Sequence, residues 1–96
     1  MNDGELDIGG IYGDTFRIKD LENIELVDKL PAIEMRTNGS ALGSHLKGHF
    51  RLATKEKAVL FVNTKYPPFV KFTYNGKLYY FNQADADQTE KIYKEL

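Results

Sequence analysis

Ninety-six residues, 42% of them hydrophobic, make one domain with a single core and leave no room for a separate catalytic domain. The absence of cysteine excludes a disulfide framework, a thiolate nucleophile and a cysteine-ligated zinc site, and fits a reducing compartment. The net charge of −1 is unevenly spread: residues 1–34 balance at −6, residues 35–82 at +7 and residues 83–96 at −2. A basic centre between acidic ends reads either as an anion-facing surface or as neighbouring segments that neutralise each other. No apolar run approaches the roughly 18 residues needed to cross a bilayer, and the start lacks the basic and apolar pattern of a signal peptide.

Short stretches rich in β-branched and aromatic residues, separated by turn chemistry, predict an antiparallel β domain. "ELDI" and "DTFRI" flank a "GGIYG" bend, and "NIELV", "IEMRT", "GHFRLA", "AVLFVNT", "PPFVKFTY" and "KLYYFN" follow. Asp3-Gly4 has hairpin-turn chemistry with two residues before it, which suggests a chain cut from a longer one; a flexible terminus explains it equally. "KDLEN", residues 19–23, is polar and too short for more than one helical turn.

Asn75-Gly76 supplies the positive φ angles of a type I′ hairpin turn. It sets Tyr74 opposite Lys77, Phe72 opposite Tyr79 and Val70 opposite Phe81 on the core face, with Lys71–Tyr80 and Thr73–Leu78 on the other. The same construction with residues 54–57 as a loop groups Phe50, Leu52, Val59 and Phe61, and sends His49, Arg51, Leu60 and Val62 the opposite way. Arg51 and Lys71 then point outward, as do Leu78 and Tyr80. An apolar outer face is either covered or an interaction surface. In the last twelve residues the period changes: Asp85 and Gln88 resemble a capping box, and Thr89, Ile92, Tyr93 and Leu96 recur at helical spacing. This helix is expected to plug an open end of the sheet system.

In this order, "IGGIYGDTFRIKDLENIELVDKLP", "TNG...G...KGHFRL", "PPFVKFTYNGKLYYFN" and a terminal helix resemble the bacterial pleckstrin-homology-like domains. The resemblance runs from about Leu6 to the end and rests on pattern and loop placement. It implies a mainly β fold with one C-terminal α-helix: a PH-like antiparallel barrel or sandwich of about seven strands, capped by the helix. It also implies a non-catalytic role, no cofactor and no shared active site, in a cytoplasmic setting, at the inner membrane face if the parent chain carries transmembrane segments. Phosphoinositide-binding members of the wider superfold use basic residues in an early loop. Here residues 3–19 are acidic in balance, with Arg17 and Lys19 as the cations.

Within residues 37–50, "TNGSALGSHLKGHF", there is no Gly-Lys pair leading into a helix, so a phosphate loop is not expected and the stretch reads as a long, glycine-eased connection between strands. His45 and His49 on a strand lie roughly 13 Å apart, too far to share a metal. Asn38-Gly39-Ser40 matches a glycosylation sequon but is explained as well by a turn. Ser40 and Ser44, with His45 adjacent to the latter, do not form a nucleophile and base, and the carboxylates Asp14, Asp20, Glu22, Glu25 and Asp28 are scattered over turns and polar positions.

Two readings follow. One is a protein-interaction module that presents Phe69, Leu78 and Tyr80, or an unpaired sheet edge, to a protein partner, to a segment of its parent chain or to a second copy. The other docks Arg36, Lys47, Arg51, Lys55, Lys57 and Lys71 on anionic lipid headgroups, at about 1 kcal/mol per cation. Nucleic acid is a weaker third, because the aromatics are expected to face inward and the pI is near 6.

Overall fold

The computed structural model describes residues 4–8 and 14–96, the side chains of residues 14, 36–38, 40 and 42 excepted. The "GGIYG" bend and Asp3 lie outside the described residues. The chain forms β1 (Glu5–Ile8), β2 (Asp14–Arg17), a 3-10 turn (Ile18–Asp20), β3 (Glu22–Val27), β4 (Ile33–Leu42), β5 (His45–Leu52), β6 (Lys57–Asn63), β7 (Phe69–Tyr74), β8 (Lys77–Phe81) and α1 (Ala86–Glu95). It is therefore mainly β with one C-terminal helix. β1 and β2 make a two-stranded sheet, and the other six are ordered β3-β7-β8-β6-β5-β4.

Among the described residues the six-stranded sheet is open, with β3 and β4 as its edges. A flat sheet of this width would hold those edges about 24 Å apart. The chain from Val27 to Ile33 reaches at most about 21 Å, so the sheet must curl. It does not close into a barrel among the described residues.

One neighbour pair departs from the expected antiparallel order: β6 and β8 run parallel, with Val59 opposite Tyr79 and Phe61 opposite Phe81. The cause is the connection after β6, which carries β7 past the position of β8 so that the Asn75-Gly76 hairpin folds back beside β6. That hairpin has the expected register at every pair from Val70–Phe81 to Tyr74–Lys77. Asn75 (φ 51°) and Gly76 (φ 76°) both take the left-handed backbone the turn demands.

β6 and β8 are apolar on both faces because both faces are covered. On one, the β1–β2 hairpin and α1 pack over Val59, Val70, Phe72, Tyr79 and Phe81. Phe16 of β2 anchors that hairpin, meeting Phe72, Tyr74 and Tyr79 edge to face at ring separations of 5.2, 5.0 and 4.9 Å. On the other, Phe50 and Leu52 of β5 close over Ala58, Leu60, Val62, Phe69 and Tyr80.

This second cluster corrects the expected β5–β6 register. Gly48 pairs with Leu60 and Phe50 with Ala58. Phe50 and Leu52 therefore share a face with Leu60 and Val62, while Val59 and Phe61 point to the first cluster. The turn is tighter than residues 54–57: Leu52 N–H donates to the Glu56 carbonyl at 2.8 Å, and Lys55 sits at φ 76°. The pairing is offset by an odd number of residues, which inverts the face of every side chain on the partner strand.

α1 begins where expected. The Asp85 carboxylate accepts from Gln88 N–H at 2.8 Å. Thr89 is buried, and Ile92, Tyr93 and Leu96 pack on the first cluster. The helix lies against β3 and β7 and covers a sheet face, where a plug for a barrel end was expected.

Candidate functional site

The glycine-rich stretch 37–50 is a hairpin, not a long loop. β4 continues through Leu42, a two-residue turn occupies Gly43 and Ser44, and β5 starts at His45. Gly43, at φ 59°, serves the turn, while Gly39 and Gly48 serve close strand approach: they face each other, and a Cβ on Gly39 would lie 2.3 Å from the Lys47 carbonyl oxygen and 2.8 Å from the Gly48 Cα. His45 and His49 face Asn63 and Val59 respectively across to β6. Among the described residues no group of three or more histidines and acids is placed to hold a metal ion. The sequon lies within β4, and the side chains of Asn38 and Ser40 are outside the described residues.

The basic candidates do not form one surface. Arg51 Nη2 meets Glu34 Oε1 at 2.9 Å, and Lys55 donates to the other oxygen of the same carboxylate. The hydrogen bond from Lys55, then the field and hydrogen bond of Arg51, hold the Glu34 carboxyl below the ordinary carboxylate range despite some desolvation. Lys57 lies opposite Arg51 across the strands. Lys47 is four residues further along β5, about 13 Å away. Lys71 is on the opposite face of the sheet, opposite Tyr80, with Nζ 3.7 Å from Glu25 Oε2. Arg36 sits opposite Phe50 in β4, and its side chain is outside the described residues. The acidic segment thus partly neutralises the basic one through pairs that join residues distant in sequence.

The apolar candidates are covered. Phe69 and Tyr80 are 4% and 2% exposed, and Leu78 is half-buried; all three belong to the second cluster. Burial, with Glu56 and Glu25 adding their charge, pushes the Tyr80 phenol upward from its ordinary value. A face expected to need a cover has found it in β5.

Among the described residues β4, like β3, is an edge strand of the sheet; it is ten residues long and pairs with β5 alone. Its Ile33 and Met35 are exposed, at 37% and 45%. Met35 Sδ lies 3.1 Å from Arg51 Nη2. An unpaired edge was anticipated, but its assignment to β4 was not, since the glycines disguised half the strand.

A cleft at the far end of β5 was not anticipated from the sequence. Asp7, His45, Lys47, Phe61, Asn63 and Gln83 are among its walls, and its volume is about 420 Å³. Asn82 builds it: its Oδ1 accepts from Asn63 N–H at 2.8 Å, and its Nδ2 donates to the Asn63 and Tyr66 carbonyls, each at 2.8 Å. The one local signal was an asparagine directly after an apolar strand, and it carries no information about its partners. No family model matches this chain, and neither does any curated protein or solved structure.

Proposed function

We propose that this domain is a non-catalytic interaction module of pleckstrin-homology-like type, which takes an extended polypeptide segment along the open edge of β4. The segment comes from a partner protein or from the parent chain. The observation that carries the reading is the ten-residue strand that, among the described residues, is bonded on one side only. About half of the backbone N–H and C=O groups of such a strand point away from its neighbour, a ready template for strand addition. Exposed Ile33 and Met35 supply apolar contacts beside that template.

The family resemblance draws support from the mainly β fold and from the C-terminal helix on the sheet. The open sheet and the parallel β6–β8 pair stand apart from an all-antiparallel barrel, so no residue role comes with the family name. Docking on anionic lipid headgroups has less support, because Arg51 and Lys55 share Glu34 and Lys71 faces Glu25.

The test is a displayed library of linear decapeptides selected against the domain, with enriched peptides mapped by amide chemical shifts. The reading expects shifts concentrated in β4 and loss of binding in a folded Ile33→Lys/Met35→Lys variant, since charge on an edge strand blocks pairing. Enriched peptides that map elsewhere, or that bind the variant unchanged, refute it. Co-sedimentation with anionic and neutral vesicles at low and high salt tests the lipid alternative.

A further inference from the structure

The β4 edge, open among the described residues, lies beside a row of charge that sets the kind of segment it can take. Along β5, Leu46, Phe50 and Leu52 turn to the second cluster. His45, Lys47, His49 and Arg51 therefore share the opposite face, at intervals of about 7 Å. His45 and His49 are exposed, and the other two are half-buried. Leaving the histidines out, residues 34–55 hold Arg36, Lys47, Arg51 and Lys55 against Glu34 alone, an excess of three positive charges. Arg51 is tied to Glu34 and Lys47 has a contact of its own, so neither is assigned a direct ion pair with a ligand. An added strand would run two strand spacings, about 10 Å, from β5. That is about one Debye length in 0.1 M salt, so the summed charge is felt there.

The regular part of the edge adjoins this row. β4 shifts register between Ile33 and Met35 and again between Arg36 and Asn38, then pairs with β5 residue by residue from Asn38–His49 to Leu42–His45. Bulges interrupt a ladder, so a new strand pairs most readily along the uninterrupted residues 38–42. Those five residues carry no charge of their own. β3, the other edge among the described residues, is protected: Asn23 is left-handed at φ 53°, the register shifts between Glu22 and Glu25, and both glutamates sit on the strand. We infer that the segment taken up by β4 is acidic over the half beside residues 38–42 and apolar over the half beside Ile33 and Met35. The inference rests on the reading of β4 as a peptide edge and names the chemistry of the peptide.

The probe is an acetylated, amidated decapeptide in which glutamate alternates with threonine in one half and valine alternates with threonine in the other, made in both orders. Control peptides carry glutamine or lysine in place of each glutamate. Amide chemical-shift titration of the whole domain follows binding at about 50 mM and about 500 mM salt. In one of the two orders the glutamate peptide should shift amides of β4 and β5 and bind at least about tenfold more tightly than its glutamine form, with the lysine form weakest. High salt should remove most of that preference. His45→Glu/His49→Glu adds two carboxylates to the row and should abolish the preference, while affinity for the glutamine peptide and the unfolding midpoint hold. A glutamate peptide that binds no better than the glutamine form, or a preference unchanged in the variant, overturns the inference. The displayed library separates this from the fate of the β4 edge: peptides that map to β4 without an excess of aspartate and glutamate remove the acidic assignment alone, and the absence of any peptide on β4 removes both.

Discussion

Replacing Asn82 by alanine tests whether one side chain holds the unusual parallel pair together. The amide makes three hydrogen bonds of 2.8 Å, all to backbone: it accepts from Asn63 N–H and donates to the Asn63 and Tyr66 carbonyls. It thereby fastens the end of β6 and the following loop to the end of β8, which no hairpin turn connects. Each bond is worth about 0.5–1.5 kcal/mol net, and a buried partner left unsatisfied costs more. Asn82 and Asn63 are only part-buried, so water recovers some of the loss. We expect Asn82→Ala to cost about 2–4 kcal/mol, a large part of the roughly 5–15 kcal/mol available to a domain of this kind. Asn82→Asp keeps an acceptor for Asn63 N–H but sets a carboxylate against two carbonyls, and should fare no better than alanine. Urea unfolding followed by circular dichroism reads this as a lower midpoint at unchanged slope. A loss below about 0.5 kcal/mol for the alanine variant would refute the argument.

Three further outcomes are expected. Gly39→Ala places a Cβ 2.3 Å from the Lys47 carbonyl oxygen at φ 155°, so β4 and β5 must separate locally; hydrogen exchange of their amides should accelerate while β7 and β8 stay protected. Glu34 has a carboxyl pKa lowered from the ordinary 4.5 by its bonds to Lys55 and Arg51, so it stabilises the fold above the unfolded value and loses that contribution as pH falls through the folded one. Glu34→Gln should therefore flatten the acid limb of a stability–pH curve below about 4.5, and an unchanged limb counts against the ion pairs. Tyr80 is displaced upward from 10.0 by burial, so its neutral form stabilises the fold below that value and the contribution fades as pH rises through the folded pKa. Ultraviolet titration should show a late-ionising phenol that Tyr80→Phe removes.

Local chemistry was the legible part of this fold. Asn75-Gly76 placed each pair of its hairpin, because the turn requires positive φ at two adjacent residues and few sequences offer it. Asp85 placed the helix start by the same kind of rule. Residues 37–50 misled because glycine has the same composition whether it loosens a loop or lets two strands approach closely; only Gly39 facing Gly48 tells the two apart. The parallel β6–β8 pair was unreadable, since alternation reports which face a residue takes and not the direction of its neighbour. The charge segments misled in a similar way. Counted along the chain they suggested a basic surface, yet Glu34 and Glu25 cross over to Arg51, Lys55 and Lys71.

The register of β5 on β6 shows where the missing information resides, and it can be tested directly. In β5 the alternation is clear: Leu46, Phe50 and Leu52 take one side and Lys47, His49 and Arg51 the other. In β6, Ala58, Leu60 and Val62 oppose Val59 and Phe61, so both sides are apolar and either could have met Phe50. A loop of residues 54–57 selects the wrong side, whereas the turn closes from Leu52 to Glu56. If packing and not the turn sets the register, one glycine inserted after Lys55 should leave His49 opposite Val59 and enlarge only the turn. A longer loop costs well under about 1 kcal/mol in closure entropy. If β6 stays anchored to β8, a one-residue slip of β5 would instead drive Lys47 and Arg51 into the second cluster and expose Phe50 and Leu52, now 2% and 1% exposed. The apolar loss alone is about 3–6 kcal/mol for the two side chains, before any cost of burying charge. Packing should therefore prevail by several kcal/mol. Cross-strand amide contacts in the insertion variant decide it: retention of the His49–Val59 pair supports the reasoning, and a shift of the whole ladder by one residue refutes it.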